Sequence, residues 1–177
     1  MKKVILFVLG IFLIVGCASI KDNPKMKVEE ILKKYNSLSD EILIDLDKKM
    51  LEANVEENLK DDMKDLYKKQ YKDMKYKILN EKIDKDEATV EVEITVYDYL
   101  TAKEEATKYV DSHSEEFMVG NVVDDYKIQQ YLIEKQEETE KRRKEKIIFN
   151  LHKDNGEWVV DNLNNETILK IHGIYKD

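Results

Sequence analysis

Apolar positions along the chain change their period, and the change separates helical from extended stretches. From residue 23 to about residue 74 they recur every three or four residues, which predicts three amphipathic helices. Between Lys75 and Leu100 the pattern mixes and then alternates, which predicts the strands Lys75–Ile83 and Ala88–Leu100 with a polar turn between them. Val90, Val92 and Ile94 mark the buried face of the second strand.

Helix starts are predicted where a capping residue precedes an apolar stripe. Asn23 stands before a proline, an order typical of an N-cap and the first helical position. Asn54 with Glu57, and Thr101 with Glu104, have the spacing of capping boxes. We therefore expect helices to begin at each of these three places.

The second half of the chain predicts a helical excursion followed by another hairpin. Thr101–Lys144 contains two helical stretches, with the second beginning at Val122 after a Gly-Asn break. Lys146–Lys153 and Glu157–Leu163 predict strands that flank an Asp-Asn-Gly turn. The element after Asn164 fits either a helical turn or a strand.

These elements predict an α+β fold in which N-terminal helices pack on a curved antiparallel sheet, with a helical excursion between two hairpins. One domain covers residues 24–177, since 177 residues suit one core and no long linker interrupts this part. A charged run, with 11 charged residues among the 13 of Glu134–Lys146, is typical of a solvated helix end leading into a strand.

The two hairpins resemble those of the nuclear-transport-factor-two-like superfamily, the cystatin-like cone. The resemblance is carried by the segments Tyr76–Asn80, Asp86–Val92 and Phe149–Asp161, the last with an Asp-Asn-Gly turn before Trp158. It is closest to small bacterial lipoproteins of that superfamily, and it implies a sheet that wraps around the N-terminal helices. The long excursion departs from the superfamily pattern, and it fits a cover for the cone mouth or a surface for a partner.

The first residues have the layout of a secretory signal. Two lysines precede the apolar stretch Val4–Val15, which is shorter than the about 20 residues that a membrane-spanning helix needs. The following residues, Ile-Val-Gly and Cys17, resemble the bacterial lipobox. That resemblance implies a signal peptide over residues 1–16, a lipidated Cys17, a tether over residues 17–23, and a protein held in the bilayer by acyl chains such as palmitate. An alanine at position 18, where an Asp signals inner-membrane retention, favours the outer membrane in a bacterium with two membranes.

Charge and composition narrow the partners. Removal of residues 1–16 removes two lysines and no acid, so the net charge falls from -8 to -10. Phosphate backbones and anionic lipid headgroups repel such a body, so we expect no nucleic-acid partner. A single cysteine excludes an internal disulfide, and no zinc, calcium or phosphate-loop motif is present, so we expect no metal and no cofactor.

Candidate chemistry rests on a few side chains. Members of the superfamily that act as isomerases or dehydratases use an acid or a histidine inside the cone as a general base, and Asp98 is in phase with the buried face of its strand. His152 is a second candidate, although it alternates out of phase with its apolar neighbours; His113 lies on an apolar helix stripe. For all three, capping, packing or exposure are the plainer interpretations. An aromatic pocket lining is also expected, formed by Tyr97, Tyr99 and Trp158.

The sequence thus predicts a membrane-anchored bacterial lipoprotein that acts as a non-catalytic ligand-binding or envelope protein-interaction module. The expected occupant is a small apolar ligand or another envelope protein. The alternative is an isomerase-like or dehydratase-like enzyme that uses Asp98 as its base. An envelope scaffold with a filled cone is a third possibility.

Overall fold

The computed structural model describes residues 23–176, and Cys17 with most of the tether lies outside them. The helices of this part are α1 (Pro24–Ser37), α2 (Asp40–Glu52), α3 (Lys60–Asp73), α4 (Tyr99–Ser112), α5 (Asp125–Glu138) and α6 (Asn165–Ile171). The strands are β1 (Lys75–Asp84), β2 (Glu87–Tyr97), β3 (Met118–Val119), β4 (Val122–Val123), β5 (Arg142–Asp154) and β6 (Glu157–Val160).

Four of these strands form one antiparallel sheet in the order β1-β2-β5-β6. β1 and β2 form one hairpin, β5 and β6 form another, and the excursion from α4 to α5 connects them. The predicted α+β class, with helices on an antiparallel sheet and a helical excursion between two hairpins, is confirmed.

The buried face of the sheet is the alternating face that the sequence predicts. Val90, Val92 and Val96 are fully buried, and Val28 and Leu32 of α1 belong to the same core. Burying a side chain of this size contributes about 1.5–3 kcal/mol, so this layer is a main source of stability. The helices therefore fill the space over the centre of the sheet.

The opposite face of the sheet is mostly polar and faces solvent, with Ile148 and Val159 as exposed apolar exceptions. Lys144 lies 2.8 Å from Glu93, and Lys146 lies 3.4 Å from Glu91, each pair joining β5 to β2. Exposed ion pairs of this kind contribute little, about 0–1 kcal/mol each. Burial of these charged side chains would cost far more, so this face stays toward solvent.

Asparagine side chains cap the N-termini of α1 and α6. Asn23 accepts a hydrogen bond from the backbone N–H of Lys25 at 2.8 Å, as predicted. Asn164 does the same for Thr167 at 2.8 Å, and the closing element is thereby a helix. The choice between a helix and a strand after Asn164 is settled in favour of the helix.

Three predicted helix starts are wrong, each for a local reason. Asn54 does not cap α3, because burial of Leu59 in a 3-10 turn delays the helix to Lys60. Thr101 is not the cap of α4; the strand ends at Tyr97, and Asp98 takes that position. The stretch after Gly120 pairs as a short hairpin first, so α5 begins at Asp125.

The last residues lock onto the end of β2. Gly173 adopts φ +71°, and a Cβ at this position would overlap the carbonyl oxygen of Tyr97. Its own carbonyl accepts a hydrogen bond from the backbone N–H of Leu100 at 2.9 Å. Only glycine fits this contact, which joins the C-terminal segment to the start of α4.

The excursion closes at its base by a backbone hydrogen bond. The N–H of Asp98, just after β2, donates to the carbonyl of Lys141, just before β5, at 2.9 Å. Gln136 of α5 donates from its side chain to the carbonyl of Tyr99 at 3.3 Å. α4 and α5 thus leave the sheet and return to it at one point.

Candidate functional site

Asp98 caps a helix and belongs to an ion-pair chain. Its carboxylate accepts hydrogen bonds from the backbone N–H of Thr101 at 3.1 Å and from the Thr101 hydroxyl at 2.8 Å. Arg143 lies 3.6 Å from the same carboxylate. Since β2 ends at Tyr97, Asp98 is not the next inward residue of the strand as the alternation implies.

The ion-pair chain continues into the protein. Arg143 contacts Glu145 at 2.5 Å, and Glu145 is buried at the start of the inward row of β5. The charged run Glu134–Lys146 predicts a solvated Glu145, and this prediction is wrong. Its alternation with Ile147 and Phe149 was the signal that could have found it. The Arg143 guanidinium lies between the carboxylates of Asp98, at the start of α4, and Glu145, on β5. It therefore compensates both negative charges and links the two elements.

His152 pairs with Asp161 on the outer, solvent-facing side of the sheet. The His152 Nδ1 lies 2.6 Å from a carboxylate oxygen of Asp161, and both side chains are about half exposed. They border a shallow cavity of about 430 Å³ that Lys82, Thr89 and Asn150 also line. Asp98 follows the opposite end of β2, and it is not among the residues that line this cavity.

His113 lies at the end of α4 in a local contact. Its ring stacks on Tyr109 with centroids 4.1 Å apart, and its Nδ1 lies 3.1 Å from the Tyr109 carbonyl. The structure therefore uses the histidine to end a helix, and it does not bring His113 together with His152 or Asp98 in any contact between described residues.

Tyr97, Tyr99 and Trp158 occupy two separate clusters. Tyr97 and Tyr99 stack with centroids 5.6 Å apart and share a small cluster with Leu66, whereas Trp158 packs in the main core. The Tyr99 hydroxyl donates to the Leu66 carbonyl at 3.2 Å, and the Tyr97 hydroxyl donates to Asp73 at 2.7 Å. All three rings are buried.

A buried histidine that sequence reasoning missed lies at the other end of the core. His172 Nε2 lies 2.7 Å from the Tyr71 hydroxyl, and its ring stacks on Tyr67 with centroids 4.2 Å apart. Burial, with a smaller contribution from Lys49, lowers the pKa of His172 to about 3. Burial, then Tyr35 and other neighbours, raises the pKa of Tyr71. A neutral imidazole and a neutral phenol therefore face each other at pH 7.

A groove with a partly aliphatic lining lies between the two ends of the domain. This groove, of about 740 Å³, separates α1 and α2 from the β6–α6 segment. Its aliphatic lining comes from both sides: Ile31, Ile42, Ile44, Val160, Leu163 and Ile168. Ligand sites commonly enclose about 300–1,000 Å³, so the groove has a suitable size.

Polar groups of both signs border this groove. Lys34 pairs with Glu41 at 2.6 Å across the turn from α1 to α2, and Asp45 and Lys48 lie further along. Tyr35 lies on the floor of the groove, where burial, then Asp45 and Glu41, raise the pKa of its hydroxyl to about 12. The hydroxyl is therefore a neutral hydrogen-bond donor at pH 7.

Comparison with known proteins gives no relative: no protein family matches the chain, and neither a curated protein nor a solved structure is similar to it. Within residues 23–176, no helix has the length and apolar character needed to cross a bilayer. In that same part, no group of three or more His, Cys, Asp or Glu side chains is placed to hold a metal ion.

Proposed function

We propose that the protein is a membrane-anchored bacterial lipoprotein whose domain is a non-catalytic module that binds a small apolar ligand. The acyl chains on Cys17 hold it at the bilayer outside the cytoplasm, in the outer membrane where the bacterium has two. The single observation that carries the binding function is the aliphatic groove between α1–α2 and β6–α6.

The groove favours an apolar ligand because six of its thirteen lining side chains are branched aliphatic ones. Ile44 stays 56% exposed and lies on the groove wall, so a ligand there removes apolar surface from water. The groove also has polar lining from Tyr35, Asp161 and Asn162, and charged side chains of α1 and α2. Such a site selects its ligand by shape and apolar area.

The enzymatic alternative has less support. A general base needs a carboxylate that can reach a substrate proton within a cleft. Asp98 instead accepts two hydrogen bonds from Thr101 and pairs with Arg143, and it does not line the groove. No described contact favours a catalytic use of His152 beyond its pair with Asp161.

Native mass spectrometry on residues 18–177 purified from cells tests the binding function. We expect an added mass that survives gentle conditions and leaves on collisional activation, because a preformed apolar groove retains its ligand. Ile44→Glu places a charge on the groove wall. It should lower the fraction of protein that carries the added mass at least about tenfold, which corresponds to about 1.4 kcal/mol or more.

Leu51→Glu is the matched control, since Leu51 is on the same helix, is 76% exposed and does not line the groove. It should leave the added mass unchanged. A bare mass for the unmodified sequence, or equal loss in the two variants, would overturn the groove as the ligand site.

A further inference from the structure

The connection between α4 and α5 exposes apolar side chains on a short hairpin. The valine tip is formed by Val119, Val122 and Val123 of the β3–β4 hairpin, which are 61%, 70% and 52% exposed. Tyr126, in the first turn of α5, is exposed beside them. Isolated exposed apolar residues are ordinary, but a cluster confined to one short hairpin marks an interaction site.

A ring contact and a backbone hydrogen bond hold the base of the valine tip. Phe117, just before β3, is buried and packs edge-on against Tyr131 of α5 with centroids 5.3 Å apart. The carbonyl of Phe117 accepts a hydrogen bond from the N–H of Asp124 at 2.8 Å. The valines are therefore presented in one arrangement, which lowers the entropic cost of docking.

The length of the connection also exceeds what linking two helices requires. Residues 113–124 separate α4 from α5, whereas connections between packed helices commonly need about 2–8 residues. α4 has 14 residues, so the first arm of the excursion is about 21 Å long.

The charge around the valine tip defines its partner. Residues 111–126 contain five carboxylate side chains and no lysine or arginine. An anionic bilayer repels this surround, so insertion of the valines into such a membrane is disfavoured. A protein surface with an apolar pocket and a rim of lysine or arginine is complementary in both respects.

We propose that the valine tip docks into an apolar pocket with a basic rim on a partner protein. The valines fill the pocket, and the carboxylates on either side face the rim. This docking surface is separate from the groove, so the two proposals stand or fall independently.

Site-specific photocrosslinking in the full chain, in its own cells, tests this proposal. p-Benzoylphenylalanine in place of Val122 should give one discrete adduct with a different protein, whereas the same group in place of Leu51 should not give that adduct. Both positions are exposed on the folded protein, so neither replacement disturbs the core.

Charge reversal makes the test specific. Asp111→Lys with Glu115→Lys should lower the adduct yield at Val122 at least about fivefold, because like charges then face each other across the rim. Asp61→Lys with Asp62→Lys makes the same change in net charge on the exposed start of α3 and should leave the yield unchanged.

Five results would overturn the proposal. The adduct could form equally with the crosslinker at Leu51. Its yield at Val122 could stay the same after charge reversal at Asp111 and Glu115. It could have the mass of two copies of this chain, which would make the valine tip a self-association surface. Its absence, or an adduct with lipid alone, would remove a protein partner.

Discussion

At the scale of single residues, His172 shows how burial decides chemistry. The ring is enclosed between Tyr67 and Tyr71, and its low pKa keeps it uncharged in the folded protein. An unfolded chain imposes no such restriction, and there the imidazole titrates at its ordinary value of 6.5. Protonation of this one side chain therefore opposes folding in acid.

The sign and window of the effect follow from these two values. Below pH 6.5 the unfolded state binds a proton that the folded state does not, and stability falls until pH reaches about 3. We expect His172 to lower the free energy of unfolding by about 2–3 kcal/mol between pH 7 and pH 4.5.

His172→Gln removes this titration, so its stability should fall less steeply with acid than that of the unmodified protein, by that amount. Urea unfolding at both pH values measures the difference. His152→Gln, at the exposed pair, is the control and should not reproduce the flattening. Parallel slopes for His172→Gln and the unmodified protein would mean that the imidazole is protonated in the folded state.

Residues of the candidate sites were the least predictable feature. Asp98 has the correct phase for an inward position, but the strand ends one residue before it and the helix takes it as a cap. His172 follows a short amphipathic stretch that fits two structures. Its partners on α3 are about 100 residues away along the chain, and no local pattern connects them.

At the scale of elements, the contact of Gly173 with Tyr97 leaves no room for a side chain. Gly173→Ala adds a methyl group against a backbone carbonyl, which cannot move without displacing the end of β2. We expect a loss of about 3 kcal/mol or more in the free energy of unfolding, from overlap and the positive φ together. Denaturant unfolding at pH 7 measures it.

Gly120→Ala separates the two causes. Gly120 also has a positive φ of +64°, but an added Cβ there meets nothing within 4 Å. Its loss should be about 1 kcal/mol, the cost of the backbone conformation alone. Equal losses for Gly120→Ala and Gly173→Ala would show that the close approach to Tyr97 is relieved by a small movement.

Elements were predictable where their pattern is periodic, and less so where a few residues decide an end. The alternation of β2 is confirmed because its valines and Ile94 are all buried. The strand β5 begins at Arg142, earlier than the sequence indicates, because charged residues extend it along β2. The first residues of β5 pair with the end of β2, and the local sequence around Arg142 does not indicate this distant partner.

At the scale of the whole molecule, the predicted anchor and the groove depend on different parts of the chain. The groove joins helices near the start of the domain to a segment near its end. No sequence period indicates this meeting, so the sequence predicted a pocket of aromatic rings within the cone and missed the groove. The order of helices and hairpins, in contrast, was readable along the chain.

Cys17→Ser tests the anchor. Since the thiol is the expected site of acylation and each buried CH₂ contributes about 0.8 kcal/mol, its loss should move the protein out of the membrane fraction or leave the signal peptide uncut. Intact mass measurement and radioactive palmitate labelling of the membrane-bound protein provide the readout. Unchanged labelling of Cys17→Ser would contradict lipidation at this residue.

The hydrogen bond between Asp98 and Lys141 has a consequence for the order of folding. Bringing β5 to β2 requires closure of a long loop, and the entropy lost in closure increases with loop length. Helical hairpins form from nearby contacts and fold quickly, whereas distant strand pairing is slow. An excursion that folds first brings Asp98 beside Lys141 and presents β5 to β2 already in register, so the slow search for a strand partner becomes a local zipping step.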